Sequence, residues 1–196
     1  AASDVYKRQP IRYTFDNNYF NEKYQGIPKC GYTEFIARLL LGSNFALGTD
    51  FFDDSERLSS LARNIVYTGP IDKFYNYRFG KLDYRSVRFK ETYLPDVDNL
   101  QGNAVINYTD SHVPYTRMIE HKHFLKTQCN GTVLSYEFPC DYNENGSPCY
   151  PIPTEGNLMK YAKYKALADK EPNVVFGGRL AEYKYYSMND IIEQFV

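Results

Sequence analysis

Residues 173–180 read Asn173-Val174-Val175-Phe176-Gly177-Gly178-Arg179-Leu180, a short apolar run that leads into two glycines and an arginine. Three consecutive apolar residues are typical of a strand that is covered on both faces. Glycines let a polyanion approach the main chain closely, and the planar guanidinium of Arg179 suits phosphate oxygens. Since residues 183–192 have the pattern of a turn into a helix, the stretch is compatible with a phosphate cradle. The alternative is a tight turn with a surface arginine, and the local pattern alone favours that alternative.

The segments before this stretch predict a mixed α/β fold. Short apolar runs at 45–52 and 63–67 predict strands. Apolar residues at helical spacing predict one helix over 32–41 and another after residue 151, the latter on Leu158, Ala162 and Ala166. Strands that alternate with helices are typical of an α/β layer.

The middle of the chain, from residue 71 to 150, has a different character. Segments rich in Tyr, Val, Phe and Thr follow one another there, with turn residues between them: 84–90, 103–108, 113–124 and 132–138. No helical pattern intervenes, which favours an antiparallel sheet. We therefore predict that the chain leaves an α/β layer at about residue 70, forms a separate sheet, and returns after residue 150.

The composition bears on the class of partner. The formal net charge is −1, which gives no argument for binding nucleic acid or a membrane surface. No stretch has the length and apolarity of a membrane span. The chain has 20 Tyr, 13 Phe and no Trp. Tyrosine suits a site that holds sugars and phosphates, and it equally suits a sheet-rich core, so both explanations stay open.

The four cysteines are Cys30, Cys129, Cys140 and Cys149. No two of them form a C-x-x-C pair, which argues against a zinc site or thioredoxin-type redox chemistry. Reduced thiols in a cytosolic protein are the default expectation. A bridge between Cys140 and Cys149 is geometrically allowed but is not our expectation.

Two arginines in the predicted sheet are candidates for anion binding. The period of a strand places Arg117, Ile119 and His121 on one face. Arg117 either presents its guanidinium to a diphosphate or forms an ordinary salt bridge with Glu120 or a neighbour. Arg85 lies at a strand start and is either functional or solvated. His121 and His123 have the spacing of a metal pair, but without a third ligand we predict no metal site.

Several blocks of sequence carry a resemblance to a known family. They are Pro10-Ile11-Arg12-Tyr13-Thr14-Phe15-Asp16-Asn17-Asn18-Tyr19-Phe20, Tyr24-Gln25-Gly26-Ile27-Pro28, Tyr67-Thr68-Gly69-Pro70, Val113-Pro114-Tyr115-Thr116-Arg117, Glu120-His121-Lys122 and Phe176-Gly177-Gly178-Arg179-Leu180. In this order they closely resemble UDP-galactopyranose mutases over residues 10–196. The G-x-G-x-x-G dinucleotide fingerprint is absent, so we expect the chain to match the second half of that family.

The resemblance implies an isomerase that interconverts UDP-galactopyranose and UDP-galactofuranose with reduced FAD, in galactofuranose biosynthesis. It implies part of a Rossmann-like FAD-binding layer at 10–70 and 151–196, and an antiparallel substrate domain at 71–150. The implied partner is the UDP-sugar, without nucleic acid or membrane, in the cytoplasm, and a homodimer is compatible with it. We expect little FAD binding and no activity from this chain alone.

Site residues follow from the resemblance position by position. Arg117 matches the essential diphosphate-binding arginine, and Arg85 matches an active-site arginine of the sheet domain. Asn107 matches an asparagine near the sugar. The implied phosphate-binding tyrosines are Tyr19, Tyr150 and Tyr185. The implied FAD-binding residues are Phe51, Gly178, Arg179 and Met188.

Two departures qualify the resemblance. Ser187 stands where the family usually has an aspartate, which removes a charge and predicts reduced activity. Residues 1–9 resemble a translated sequencing adapter, so we exclude them, including Arg8, which aligns with a second essential arginine. A nucleotide-sugar-binding protein without catalysis and another enzyme of the flavin amine-oxidase type are the alternative functions.

Overall fold

The computed structural model describes residues 13–15, 23–142 and 146–194. The chain divides into two units, which we describe separately. The sheet unit comprises Ala1–Leu47 and Arg88–Pro139, and the mixed unit comprises Gly48–Val87 and Cys140–Val196. The expected mixed α/β class with an antiparallel sheet is confirmed. The domain division at 10–70, 71–150 and 151–196 stays a prediction.

In chain order the described elements are α1 (Gly31–Leu39), a 3-10 turn (Phe51–Asp53), α2 (Ser55–Ser60), β1 (Ile65–Tyr67), α3 (Ile71–Phe74), β2 (Tyr84–Leu94), β3 (Val105–Asn107), β4 (Arg117–Glu120), α4 (Lys122–Leu125), β5 (Thr132–Asp141), β6 (Tyr150–Pro151), α5 (Glu155–Ala168), β7 (Val174–Phe176), α6 (Gly178–Ala181) and α7 (Met188–Glu193). Strands β2 and β5 each have residues in both units.

The sheet unit is built on the strand order β3-β4-β5-β2. Strand β4 pairs antiparallel with β3 on one side and with β5 on the other. Burial alternates along β4, with Met118 and Glu120 buried and Arg117 and Ile119 half-buried. The predicted strand over 113–124 is therefore too long: it ends at Glu120, and the chain turns into α4. His121 therefore does not share a strand face with Arg117. The sequence pattern had predicted that it would.

The core of the mixed unit is aromatic. Its buried residues are Ile71, Leu82, Tyr84, Tyr164, Ala168 and Tyr183. Tyr164 is fully buried, and its hydroxyl donates to Gly80 O at 2.9 Å and accepts from Phe79 N–H at 2.8 Å. Burial raises the pKa of Tyr183 to about 12, and its hydroxyl donates to Asp83 O at 2.7 Å. Part of the tyrosine content thus serves the core, with the phenols of Tyr164 and Tyr183 bonded to main chain.

Helix α5 packs on a different face from the one predicted. Leu158, Ala162 and Ala166 are all exposed. The buried residues of α5 are Asn157, Tyr164 and Ala168, which follow the same helical period on another side. Asn157 Nδ2 donates to Asp83 Oδ2 and to Ile152 O, both at 2.9 Å, so a polar residue occupies the buried face because its hydrogen bonds are satisfied there.

Strands β1 and β7 form a parallel pair, with Val66 opposite Val175. These two side chains are 62% and 48% exposed. The prediction that β7 is covered on both faces is therefore wrong for the described residues. A parallel sheet of two strands is unusual by itself, since parallel sheets are normally buried on both faces.

The predicted strand at 45–52 is also wrong. The chain instead forms the 3-10 turn, which is capped by Asp50, because the Asp50 carboxylate accepts a hydrogen bond from Phe52 N–H.

Candidate functional site

The sheet unit places one candidate cation next to an amide and a carboxylate. Asn107, Arg117 and Glu137 are cross-strand neighbours on β3, β4 and β5. Arg117 Nε donates to Asn107 Oδ1 at 3.1 Å, and Arg117 Nη1 lies 3.7 Å from Glu137 Oε2. The Arg117 side chain is 43% exposed, so its guanidinium remains accessible to an anion. We call these three residues the Arg117 cluster.

Glu137 is a residue that the sequence analysis missed. Its side chain is only 15% exposed, and Thr116 Oγ1 donates to Glu137 Oε1 at 3.2 Å. The salt bridge that the sequence left open is thus present, with Glu137 as the neighbour and not with Glu120. No local sequence motif indicates this contact, because it depends on the register between β4 and β5. A carboxylate held in this way fixes the orientation of Arg117.

The mixed unit stacks a second arginine on two tyrosines. The guanidinium carbon of Arg179 lies 4.7 Å from the ring centroid of Tyr185 and 5.1 Å from that of Tyr150. The two rings stack with centroids 5.8 Å apart. Arg179 Nε donates to Tyr186 O at 2.6 Å. We call Arg179, Tyr150 and Tyr185 the Arg179 cluster.

Strand pairing adds Arg85 to the surroundings of the Arg179 cluster. Arg85 on β2 is the register partner of Tyr150 on β6. Cross-strand partners project to the same face of a sheet, so both side chains share one face. Arg85 is exposed, and its carbonyl accepts from Cys149 N–H at 2.9 Å. The structure therefore brings together four predicted site residues within the mixed unit: Arg85, Tyr150, Arg179 and Tyr185.

The turn before Arg179 leaves room for a ligand. Gly178 has φ +86°, a conformation that favours glycine, and a Cβ placed there meets nothing within 4 Å. Its N–H donates to Glu182 Oε2 at 3.1 Å. Within the described ranges, no carboxylate lies within ion-pair distance of Arg179. An arginine that has no counter-ion among the described residues and lies beside an open glycine fits an anionic group such as a diphosphate.

Ser187 caps α7 immediately before Met188. Ser187 N–H donates to Asp190 Oδ2 at 2.6 Å, and Ser187 Oγ is 2.6 Å from the same oxygen. Hydrogen bonds from Ser187 hold the pKa of Asp190 below its ordinary value. Ser187, at the position where the resemblance predicts an aspartate, is thus part of the capping box of α7. Met188 is 70% exposed.

Two predicted site residues lie elsewhere or outside the described residues. Phe51 packs in an aromatic cluster of the mixed unit, stacked on Phe74 with centroids 6.2 Å apart and near Tyr67. Tyr19 lies outside the described residues, as does Arg8. Among the described residues, no three His, Cys, Asp or Glu side chains are grouped so that they could hold a metal ion. No helix in the described ranges combines the length and the hydropathy of a membrane span.

Comparison with known proteins matches residues 2–185 to a family described as UDP-galactopyranose mutase. A Klebsiella pneumoniae protein named "Probable UDP-galactopyranose mutase" is 39% identical over 98% of this chain and 50% of its own length. An Escherichia coli protein named dTDP-fucopyranose mutase is also 39% identical, over 98% of this chain and 52% of its own. A Mycoplasma pneumoniae UDP-galactopyranose mutase is 30% identical over 97% of this chain and 51% of its own. The chain spans about half the length of the curated relatives it matches, and it belongs to the UDP-galactopyranose mutase family.

Proposed function

We propose that this chain is the substrate-binding half of a flavin-dependent isomerase that interconverts UDP-galactopyranose and UDP-galactofuranose. The observation that carries the proposal is the family match over residues 2–185. Because the chain spans about half the length of its relatives, we expect it to function within a longer protein and to be inactive alone. The resemblance places an N-terminal half before this chain. We call the longer protein that contains both halves the extended protein.

The Arg117 cluster supplies the charge that this reaction requires. Cleavage of the sugar–phosphate bond leaves negative charge on the diphosphate of UDP, and a fixed guanidinium stabilises such charge. Arg117 is half-exposed and held by Asn107 and Glu137, so it is oriented before substrate binds. Its fork is also suited to bidentate contact with phosphate oxygens. By resemblance, Tyr19, Tyr150 and Tyr185 are the phosphate-binding tyrosines, and Arg85 is an active-site arginine.

FAD is the cofactor of the proposed reaction, and the Arg179 region fits its diphosphate. Gly178 and Arg179 would hold the pyrophosphate, Met188 would meet the flavin through its main chain, and Phe51 would lie towards the adenine. When bound and reduced, FAD supplies the nucleophile that displaces UDP. The exposed face of the β1–β7 pair supports a Rossmann-like layer completed by the N-terminal half.

The experiment is an interconversion assay on the extended protein. The protein is reduced with dithionite, incubated with UDP-galactopyranose, and the nucleotide sugars are separated by chromatography. We expect UDP-galactofuranose to form with the reduced protein and not with the oxidised one. Absence of conversion above a heat-inactivated control would overturn the proposal.

A second substrate follows from one specific comparison. The Escherichia coli dTDP-fucopyranose mutase is as identical to this chain as the Klebsiella relative is, at 39%. Both names describe mutases of nucleoside-diphosphate sugars. The same assay with dTDP-fucopyranose therefore runs in parallel, and the substrate with the higher kcat/KM identifies the activity.

A binding protein without catalysis is the alternative that Ser187 motivates. Ser187 lacks the charge of the family's aspartate, although it retains a defined role as the cap of α7. Tight UDP binding by the reduced extended protein without conversion of either sugar would favour this alternative.

We further propose a cytoplasmic location, which the unpaired state of all four cysteines supports.

A further inference from the structure

We infer that Glu120 is a positioning residue whose buried carboxylate fixes the register of β3 and thereby keeps Asn107 beside Arg117. The inference deepens the proposed function, since it concerns the same diphosphate-binding cluster. Glu120 lies three residues after Arg117 on β4, and its side chain forms no hydrogen bond with Asn107 or Arg117. It acts through the loop at 98–104, which leads directly into β3.

The Glu120 carboxylate is fully buried and bonded on both oxygens. Oε2 accepts from Gln101 N–H at 2.8 Å, and Oε1 accepts from Leu100 N–H at 3.1 Å. Thr132 Oγ1 donates to Oε1 at 2.8 Å, and His123 Nε2 lies 3.1 Å from Oε2. Two of these partners are main-chain groups of the loop, so the carboxylate holds the backbone itself.

The main chain of Glu120 extends the same attachment. Its N–H donates to Ala104 O at 2.9 Å, one residue before β3 begins. Gln101 Nε2 donates to Asn103 O at 2.7 Å, which stiffens the loop between the two attachment points. Glu120 therefore fixes the loop at its middle through its side chain and at its end through its main chain.

Lys122 holds the neighbouring turns. Its ammonium donates to Asp98 Oδ1 at 2.6 Å, to Asp98 O at 2.7 Å, and to Cys129 O at 2.9 Å. Its side chain is only 9% exposed. Glu120 at the end of β4 and Lys122 at the start of α4 thus both tie loop segments to the sheet, and Glu120 holds the segment that precedes β3.

Strand β3 needs such an attachment because it is short and lies at an edge. It has three residues, and β4 is its only strand partner in the part of the chain that the structure describes. Val105 is 38% exposed, so burial of one face specifies the register weakly. A slip by one residue would turn Asn107 to the opposite face and away from Arg117. The hydrogen bonds that the Glu120 carboxylate accepts from Leu100 N–H and Gln101 N–H oppose this slip.

The experiment is a double-mutant cycle in the extended protein, with the Kd for UDP-galactopyranose measured by calorimetry. We expect Glu120→Gln and Asn107→Ala each to raise the Kd about 10-fold, since each removes the hydrogen bonding that orders the cluster. The double variant should be close to Asn107→Ala alone, because Glu120 acts through Asn107. A multiplicative effect, near 100-fold, would overturn the inference. Glu91→Gln, at an exposed position of the same unit, is the matched control and should leave the Kd unchanged.

Amide hydrogen exchange gives a second readout that does not depend on substrate. In Glu120→Gln, the amides of Ile106 and Asn107 should exchange at least about 10-fold faster, while those of β5 keep their protection. Unchanged exchange in β3 would overturn the register claim. If Glu120→Gln does not fold, Thr132→Val, which removes one donor to the carboxylate, carries both measurements with smaller shifts in the same direction. If the unsubstituted protein binds no UDP-sugar, the proposed function fails, and the exchange data alone decide whether Glu120 holds β3.

Discussion

The ring of Tyr185 stacks on that of Tyr150, with centroids 5.8 Å apart and planes 17° apart, and Arg179 lies against both. Tyr185 is half exposed, so this contact gains little from burial. A cation over an aromatic ring contributes about 0.5–1 kcal/mol at such a site. The arrangement orients the guanidinium more than it stabilises the fold.

Tyr185→Phe and Tyr185→Ala separate the ring from the hydroxyl. Phenylalanine keeps the stack on Tyr150, so only hydroxyl contacts are lost, and the Kd of the extended protein for UDP should rise about 10-fold. Alanine also removes the ring and should weaken flavin retention, because Arg179 loses one of the two rings it stacks on. The measurements are calorimetry with UDP and the bound-flavin absorbance. Equal flavin content in both variants would contradict the role given to the stack.

Arg117→Lys tests whether the fork of the guanidinium matters. Lysine keeps the charge, but it loses the Nε contact to Asn107 and cannot bind phosphate oxygens bidentately. We expect kcat/KM of the extended protein to fall at least about 100-fold, with a thermal midpoint within about 2 °C of the unsubstituted protein.

The control for this substitution is Arg88→Lys. Arg88 is an exposed arginine of the sheet unit that lies over Phe138, with its guanidinium carbon 5.1 Å from the ring centroid. Its replacement should leave kcat/KM within about 2-fold. A similar loss in both variants would indicate a general effect of the change from arginine to lysine, and not a specific role for Arg117.

Local patterns anticipated much of the secondary structure. The helix predicted at 32–41 is present as α1, and the strand run of the middle segment forms an antiparallel sheet. The face of α5 could not be predicted, because Asn157 is buried through hydrogen bonds to residues far away in sequence. The strand expected at 45–52 fails for a local reason, since Asp50 caps a 3-10 turn there.

The sequence likewise predicted some residues of the candidate site and missed others. Glycines and an arginine after a short strand pointed to Arg179, and the structure places that arginine beside open space. Glu137 escaped notice because its link to Arg117 depends on strand register, which no local pattern specifies. Glu120 was considered only as a partner of Arg117, yet strand alternation places it on the opposite, buried face.

Tyr164→Phe tests the polar contacts inside the aromatic core. The change removes the hydroxyl that bonds Gly80 O and Phe79 N–H and leaves both main-chain groups without that partner. A buried unpaired group costs about 1–3 kcal/mol, so the thermal midpoint should fall by about 3–10 °C. Tyr93→Phe is the matched control, because Tyr93 is 61% exposed, and it should shift the midpoint by less than about 1 °C. Equal shifts would mean that the hydroxyl of Tyr164 contributes nothing specific.

The Glu120 carboxylate makes stability depend on pH in a defined window. Burial acts to raise the pKa of Glu120, but hydrogen bonds from Gln101, Leu100 and Thr132, together with the nearby His123 ring, outweigh it and lower the pKa to about 2. The unfolded chain takes up this proton near its ordinary pKa of 4.5. The stabilisation is therefore complete above about pH 5 and is lost as the pH falls towards 2. Its size is on the order of 3 kcal/mol.

Urea unfolding of the unsubstituted chain and of Glu120→Gln between pH 2 and 6 measures this contribution. The free energy of unfolding should differ most above pH 5, and the two curves should converge as the pH falls, because the glutamine amide does not titrate. Glu91→Gln, at an exposed position, should instead run parallel to the unsubstituted chain across the range. A constant difference between Glu120→Gln and the unsubstituted chain from pH 6 to 2 would show that the loss comes from packing. In that case the charge of Glu120 would not be what holds the loop before β3.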